Sequence, residues 1–279
     1  MCFAINGSSN MITKDDFKRE NYDISDLLDI VKILRSPGGC PWDAEQNHKS
    51  VRNDLLEEAY EVCDAIDTAD NDALKEELGD LLLQVVFHSD IAKLEDGFDF
   101  NNVCDGVCKK LILRHPHVFG TVEVEDSAEV LRNWDAIKRT EKSQNTYYDT
   151  LESVPKAFPA LLRSAKVQKR AAKAGFDWDN KLDVFSKLDE EVAELKEADL
   201  IGDKEQIFEE FGDLLFAAVN LSRFLKVNAE EALAFATDKF MRRFKAVEDV
   251  VLEKGRDMKE LSLTELDAIW DEVKSKEKD

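Results

Sequence analysis

Two copies of one all-α, bundle-like unit are what the sequence predicts, and three observations predict them. Apolar residues recur three and four positions apart along most of the 279-residue chain, and period-two alternation is rare. Only 11 Gly and 5 Pro interrupt that pattern, which favours long helices. The chain is also self-similar. LLEEAYEVCDAI at 55–66 returns as LDEEVAELKEA at 188–198, and EELGDLLLQVV at 76–86 returns as EEFGDLLFAAV at 209–219, both displaced by 133 residues.

Each copy follows the same order of elements. One helix precedes a Gly...Trp-Asp turn, GCPWD at 39–43 and GFDWD at 175–179. The EExxE helix comes next, then the ExxD helix. A fourth helix carries CDGVCKK in one copy and TDKFMRR in the other, and a short fifth carries WDAIKRTEK at 134–142 or WDEVKSKEK at 270–278. The first repeat is bounded at 24–142 and the second at 160–279, with 143–159, which includes the two prolines of TYYDTLESVPKAFP, as linker. Four-helix-bundle-like packing is expected within each.

Bulk composition narrows the function. A net charge of −22 repels nucleic-acid phosphates, so no nucleic-acid partner is expected, and a phosphate ligand must meet local cations or a metal. No apolar run approaches the length needed to cross a bilayer, and the start lacks a basic stretch followed by an apolar one. A cytoplasmic protein is expected, without a membrane partner. The five cysteines are odd in number and include no CxxC pair, which reads as reduced thiols and gives a Cys/His zinc site little support.

The acids carry the chemistry. On a helix, positions three and four apart share a face. Glu191 and Glu194 therefore form one pair and Glu210 and Asp213 another, and two antiparallel helices would bring them together as a box. Glu58, Glu61, Glu77 and Asp80 repeat the arrangement, while Glu190 and its counterpart Glu57, about 100° round from the next residue, lie at the edge. A solvated acidic face fails as an explanation on the second helix. Phe87, seven residues beyond Asp80, falls within about 20° of the same azimuth, so that face turns apolar and the helix is buried. Carboxylates buried together are costly unless paired or metal-bound, and few Lys or Arg stand at helical spacing to pair them. An all-oxygen shell suits Mg²⁺, with Mn²⁺ as a substitute, or Ca²⁺. Di-iron carboxylate proteins need Glu-x-x-His, whereas this motif is Glu-x-x-Asp and the second repeat contains no histidine.

At these residues the chain resembles the MazG family of nucleoside triphosphate pyrophosphohydrolases, in the all-α NTP pyrophosphatase superfamily. EExxE followed by ExxD is that family's metal motif, present here twice. GGCPWDAEQNH at 38–48, RHPHVFG at 114–120 and KRAAKAGFDWD at 169–179 also look like its two-domain members. The resemblance implies Mg²⁺-dependent hydrolysis of NTPs and dNTPs to the monophosphate and pyrophosphate, usually in a homodimer.

That reaction would set roles for further residues. Glu190, off the plane of the acid pairs, is the candidate to take the proton of the attacking water. Lys187, Lys239, Arg242 and Arg243 are candidates for the triphosphate, and Trp270 for stacking on a base. At offset 133, Lys187 faces Asp54, Asn220 faces Phe87 and Lys239 faces Gly106, while Arg242 and Arg243 face Lys109 and Lys110. The second repeat, including Asn220, is therefore expected to be the main catalytic one. No residue reads as a base-edge reader, so broad base specificity is expected. The competing class is a helical metal-binding or interaction scaffold without catalysis.

Overall fold

The computed structural model describes residues 17, 18 and 20–277, and among them it holds thirteen α-helices and no strand. The chain divides between Ile137 and Lys138 into two compact units.

The first unit opens on α1 (Ile24–Arg35), started by a capping box in which Asp23 accepts from the backbone of Asp26 and Asp26 from that of Asp23. α2 (Pro41–Glu45) is a short turn with Pro at its first position. α3 (Arg52–Asp67) and α4 (Asn71–Leu94) follow as an antiparallel pair, turned through Ala69 at φ 55° and restarted by the Asp70 N-cap. α5 (Phe100–Arg114), α6 (Pro116–Phe119) and α7 (Ser127–Glu141) complete the run, α7 reaching past the division. α1 and α5 both pack on α4. Their core is Val31, Val51, Val86, Phe87 and Ile91, each worth about 1.5–3 kcal/mol when fully buried. Buried Arg35 ties these parts together. Its Nε donates to Asp90 Oδ2 at 2.9 Å, its Nη1 to the Asp43 carbonyl at 2.6 Å, and its guanidinium lies 4.7 Å from the centre of the Phe87 ring.

The second unit contains α8 (Tyr147–Glu152), α9 (Ala160–Lys173), α10 (Lys181–Ile201), α11 (Lys204–Leu225), α12 (Ala229–Glu253) and α13 (Leu263–Lys276). The segment 143–159 carries α8, which packs on α9, and Arg170 donates to the Thr150 carbonyl and, at 2.7 Å, to Ser153 Oγ. α10 ends on Gly202 at φ 78°, a left-handed conformation that glycine adopts without a Cβ clash, and Asp203 then caps α11. That tight reversal makes α10 and α11 antiparallel neighbours. α9 packs across α11, where buried Gln168 donates to the Phe216 carbonyl at 2.8 Å. α12 packs on α9 and α13 around Val247, Val251, Ile269 and Val273.

Candidate active site

Each helix pair brings three carboxylates together. In the second unit, Glu191 and Glu194 of α10 meet Glu210 of α11, with one oxygen of each within 4.8 Å of the others. In the first, Glu58 of α3 meets Glu77 and Asp80 of α4 within the same limit. The predicted boxes thus form with unequal membership. Asp213 and Glu190 stand outside the tight group of the second unit, and Glu57 and Glu61 outside that of the first. Glu61 nonetheless lies near enough for its charge to act on Glu58. The expectation of full burial holds for Glu191 alone in the second box, since Glu194 is exposed and Glu210 half-buried.

Their electrostatics differ too. Desolvation first, then the charges of Asp80 and Glu61, pushes the Glu58 carboxyl up. Glu77 is raised by desolvation and then by Glu61, Glu76 and Asp80. In the second unit Glu194 is also raised, by partial desolvation and by Glu210, Glu191 and Glu190, but Lys187 opposes the shift. Lys187, a candidate for the triphosphate, is engaged with the acids of its own helix. Here its Nζ lies 2.8 Å from Glu190 Oε1 and 2.7 Å from Glu191 Oε1. Positions three and four residues on share its face, and Glu191, only 5% exposed, offers it a desolvated partner. Those hydrogen bonds, Glu190 first, raise the lysine pKa further.

The remaining predicted residues have partners outside this group. Arg242 and Arg243 of α12 both reach Glu277, at 3.4 Å and 2.7 Å. Trp270 of α13 sits beside them, its ring centre 6.0 Å from the Arg243 guanidinium and 5.3 Å from the Phe240 ring. Lys239 lies 5.7 Å from the centre of the Phe235 ring. Asn220 is buried, and its Oδ1 accepts from Arg223 Nε at 3.1 Å and Nη2 at 2.9 Å. Arg223, which the sequence reading passed over, also donates to Asp177 Oδ1 at 2.7 Å and so anchors the Trp-Asp turn to α11. Glu277 was missed as well. Its carboxyl is pulled down by the hydrogen bond from Arg243 and by both arginine charges. Trp134, the counterpart of Trp270 at offset 136, lies 5.4 Å from Arg114.

A cavity of about 300 Å³ opens beside the first box, with Val31, Leu34, Trp42 and Phe87 on its apolar side and Asp54 and Glu58 on its acidic side. Trp42, which lines it, is 60% exposed. No lysine or arginine lines the cavity.

The donor set fits a hard divalent cation. Both groups offer carboxylate oxygens and no thiol or imidazole, as Mg²⁺ and Mn²⁺ prefer.

The model of the MazG nucleotide pyrophosphohydrolase domain matches the chain twice, over residues 46–119 and 180–248. The chain belongs to the MazG family. It is 45% identical to the nucleoside triphosphate pyrophosphohydrolase of Escherichia coli K12 over 259 residues, 92% of this chain and 98% of that protein. With the nucleoside triphosphate pyrophosphohydrolase/pyrophosphatase MazG of Thermotoga maritima it shares 44% over 249 residues, 89% of this chain and 94% of that one. The uncharacterized protein YabN of Bacillus subtilis is 43% identical over 92% of this chain and 53% of its own length. The two MazG matches enclose the two carboxylate groups. The second also takes in Lys239, Arg242 and Arg243, while Trp270 and Glu277 lie beyond it.

Proposed function

We propose that this chain is a nucleoside triphosphate pyrophosphohydrolase that acts chiefly in its second repeat, with Mg²⁺ or Mn²⁺, on NTPs and dNTPs of any base. The observation that carries the proposal is the close group of Glu191, Glu194 and Glu210 inside a segment that matches the MazG nucleotide pyrophosphohydrolase domain.

Glu191, Glu194 and Glu210 would hold the cation, with Asp213 one turn further along α11. When bound, such a cation neutralises charge on the phosphate oxygens. Water attacks the α-phosphorus, the bond to the α–β bridging oxygen breaks, and pyrophosphate leaves with the electron pair. Glu190, exposed at the edge of the group, takes the proton of that water. Lys239, Arg242 and Arg243 receive charge of the triphosphate, and Trp270 stacks on the base whichever base it is. The first repeat, with Asp54 and Phe87 where the second has Lys187 and Asn220, is the weaker nucleotide site.

A homodimer completes the reading. Phe208, Phe211 and Leu215 run along one side of α11 and all are exposed, Phe208 at 84%. Leu78 and Leu82 repeat part of that stripe on α4. Left in water these side chains forgo about 25 cal/mol per Å², which a second copy recovers. Sedimentation of the wild type at dimer mass and of Phe211→Glu at monomer mass is the expected pair of results. The cytoplasm suits such an enzyme, and no described helix is long and apolar enough to cross a membrane.

Product analysis tests the central point. Magnesium-dependent release of NMP and pyrophosphate is expected, without NDP or free phosphate. NDP and phosphate would move the attack to the γ-phosphorus and overturn the reading, and no hydrolysis at all would favour a metal-binding scaffold.

A further inference from the structure

The second carboxylate group already holds a cation of its own. Lys187 Nζ bridges Glu190 Oε1 at 2.8 Å and Glu191 Oε1 at 2.7 Å, and two-thirds of its side chain is shielded from water. Its counterpart in the first repeat is Asp54, an acid, so the first group has no cation from that position. Two sites of the same backbone plan and nearly the same acids therefore differ in one charge inversion at the rim.

We propose that Lys187 is an internal counter-ion that competes with the divalent cation for Glu191, so that cation and triphosphate favour each other's binding in the second repeat, while the first repeat takes its cation largely independently of nucleotide. The inference rests on the metal-box reading above and deepens it. A divalent ion beside Glu191 repels the ammonium 2.7 Å from Glu191 Oε1 and displaces it where it takes that oxygen. The released ammonium rides on a flexible four-carbon stem and needs an anion, which the triphosphate supplies. Each ligand then favours the other, and linkage makes the effect equal in both directions. Lys187 serves as a positioning residue whose location depends on what fills the box. Asp54 can take no part in such an exchange, because it repels the phosphate that would receive it.

The experiment is a Mn²⁺ titration, followed by the electron paramagnetic resonance signal of the free ion. It uses the full chain carrying Glu58→Gln and Glu77→Gln, so that only the second repeat is read. The titration is run without nucleotide and with α,β-methylene-ATP, which cannot be cleaved at the bond in question. In this background nucleotide should tighten Mn²⁺ binding about tenfold, the order expected for two ion pairs handed to a new partner. Lys187→Met should bind Mn²⁺ about tenfold more tightly than its parent without nucleotide and gain clearly less from nucleotide than its parent does, the remaining gain being the direct contact of cation and phosphate. Lys187→Arg, which keeps the charge, should restore most of the coupling, and circular dichroism of all three confirms the helical fold. If Mn²⁺ binds neither parent nor Lys187→Met, the metal-box reading itself fails. If both bind Mn²⁺ with the same affinity and the same nucleotide coupling, the box stands and the counter-ion role is overturned. Weaker Mn²⁺ binding by Lys187→Met overturns it too.

Discussion

The α3–α4 and α10–α11 pairs are built to one plan, yet one is the mirror of the other in charge around its acids. Around Glu58 stand Asp54, Glu57 and an apolar cavity with Trp42 at its mouth. Around Glu191 stand Lys187 and Glu190, joined by the lysine's ammonium. The comparison teaches that a metal motif alone does not make two repeats equivalent. Each repeat gathers three carboxylates, but the residue one turn upstream is Lys187 in one and Asp54 in the other, opposite in charge.

Breaking the comparison outright takes one pair of substitutions. Glu191→Ala should lower kcat/KM for an NTP about a hundredfold or more, while Glu58→Ala should lower it no more than about threefold, since charge-assisted contacts to phosphate are concentrated in the second repeat. Steady-state kinetics at one Mg²⁺ concentration decides, and equal losses would mean that the repeats share the work. Within the second box, Glu194→Gln should cost more than Asp213→Asn, because only Glu194 belongs to the tight group.

A smaller effect is expected at the arginines. Arg242 and Arg243 are held by Glu277, whereas Lys109, aligned with Arg242, is held by Asp105 of its own helix at 2.6 Å. Glu277→Gln should free the arginines for phosphate and lower KM about threefold with kcat nearly unchanged. An unchanged KM would remove Arg242 and Arg243 from the triphosphate site.

The two boxes should also part in their response to pH. Glu58, Glu77 and Glu194 all titrate above the usual glutamate value of 4.5 when folded. Each favours the fold most below about pH 4.5, and that contribution is lost as pH rises through the raised value. Without divalent cation, Glu58→Gln should therefore raise Tm at neutral pH by the order of 1 °C and leave it unchanged near pH 4. Mg²⁺ should abolish the difference. A variant less stable than wild type at neutral pH would contradict the repulsion inferred in the first box.

The smallest effect is expected at His88, aligned with Leu221. Burial first, then neighbouring His48 at 2.8 Å, pushes its pKa below 6.5. Its contribution to stability is present above pH 6.5 and lost as pH falls through the lowered value. His88→Leu, the residue of the second repeat, should flatten the stability profile between about pH 6.5 and 5 in urea unfolding. An unchanged slope would assign that pH range to other groups.

Much of this was legible in the sequence because it is written in spacing. The period of the apolar residues gave helices, the offset of 133 gave two units, and the i, i+3 acids gave the boxes. What escaped was the direction taken by long side chains. Lys187 has room to point outward or down its own helix, and desolvated Glu191 decides between them. Glu277 meets Arg243 across 34 residues of chain, a pairing with no local signal. Arg223 is recognisable only once the Trp-Asp turn is folded against α11. Nothing in GCPWD reveals that Trp42 lines a cavity beside Glu58.

The Gly202–Asp203 reversal has a consequence for how the molecule forms. All three acids of the second box lie between positions 191 and 210, so the α10–α11 hairpin can assemble them on the microsecond scale of local contacts. Lys187 belongs to the same hairpin and arrives with them, which lets this segment act as an early folding nucleus at any metal concentration. The α3–α4 hairpin closes over a similar length of chain but without a lysine at that position. A divalent cation in the refolding buffer should therefore speed its closure more than that of α10–α11.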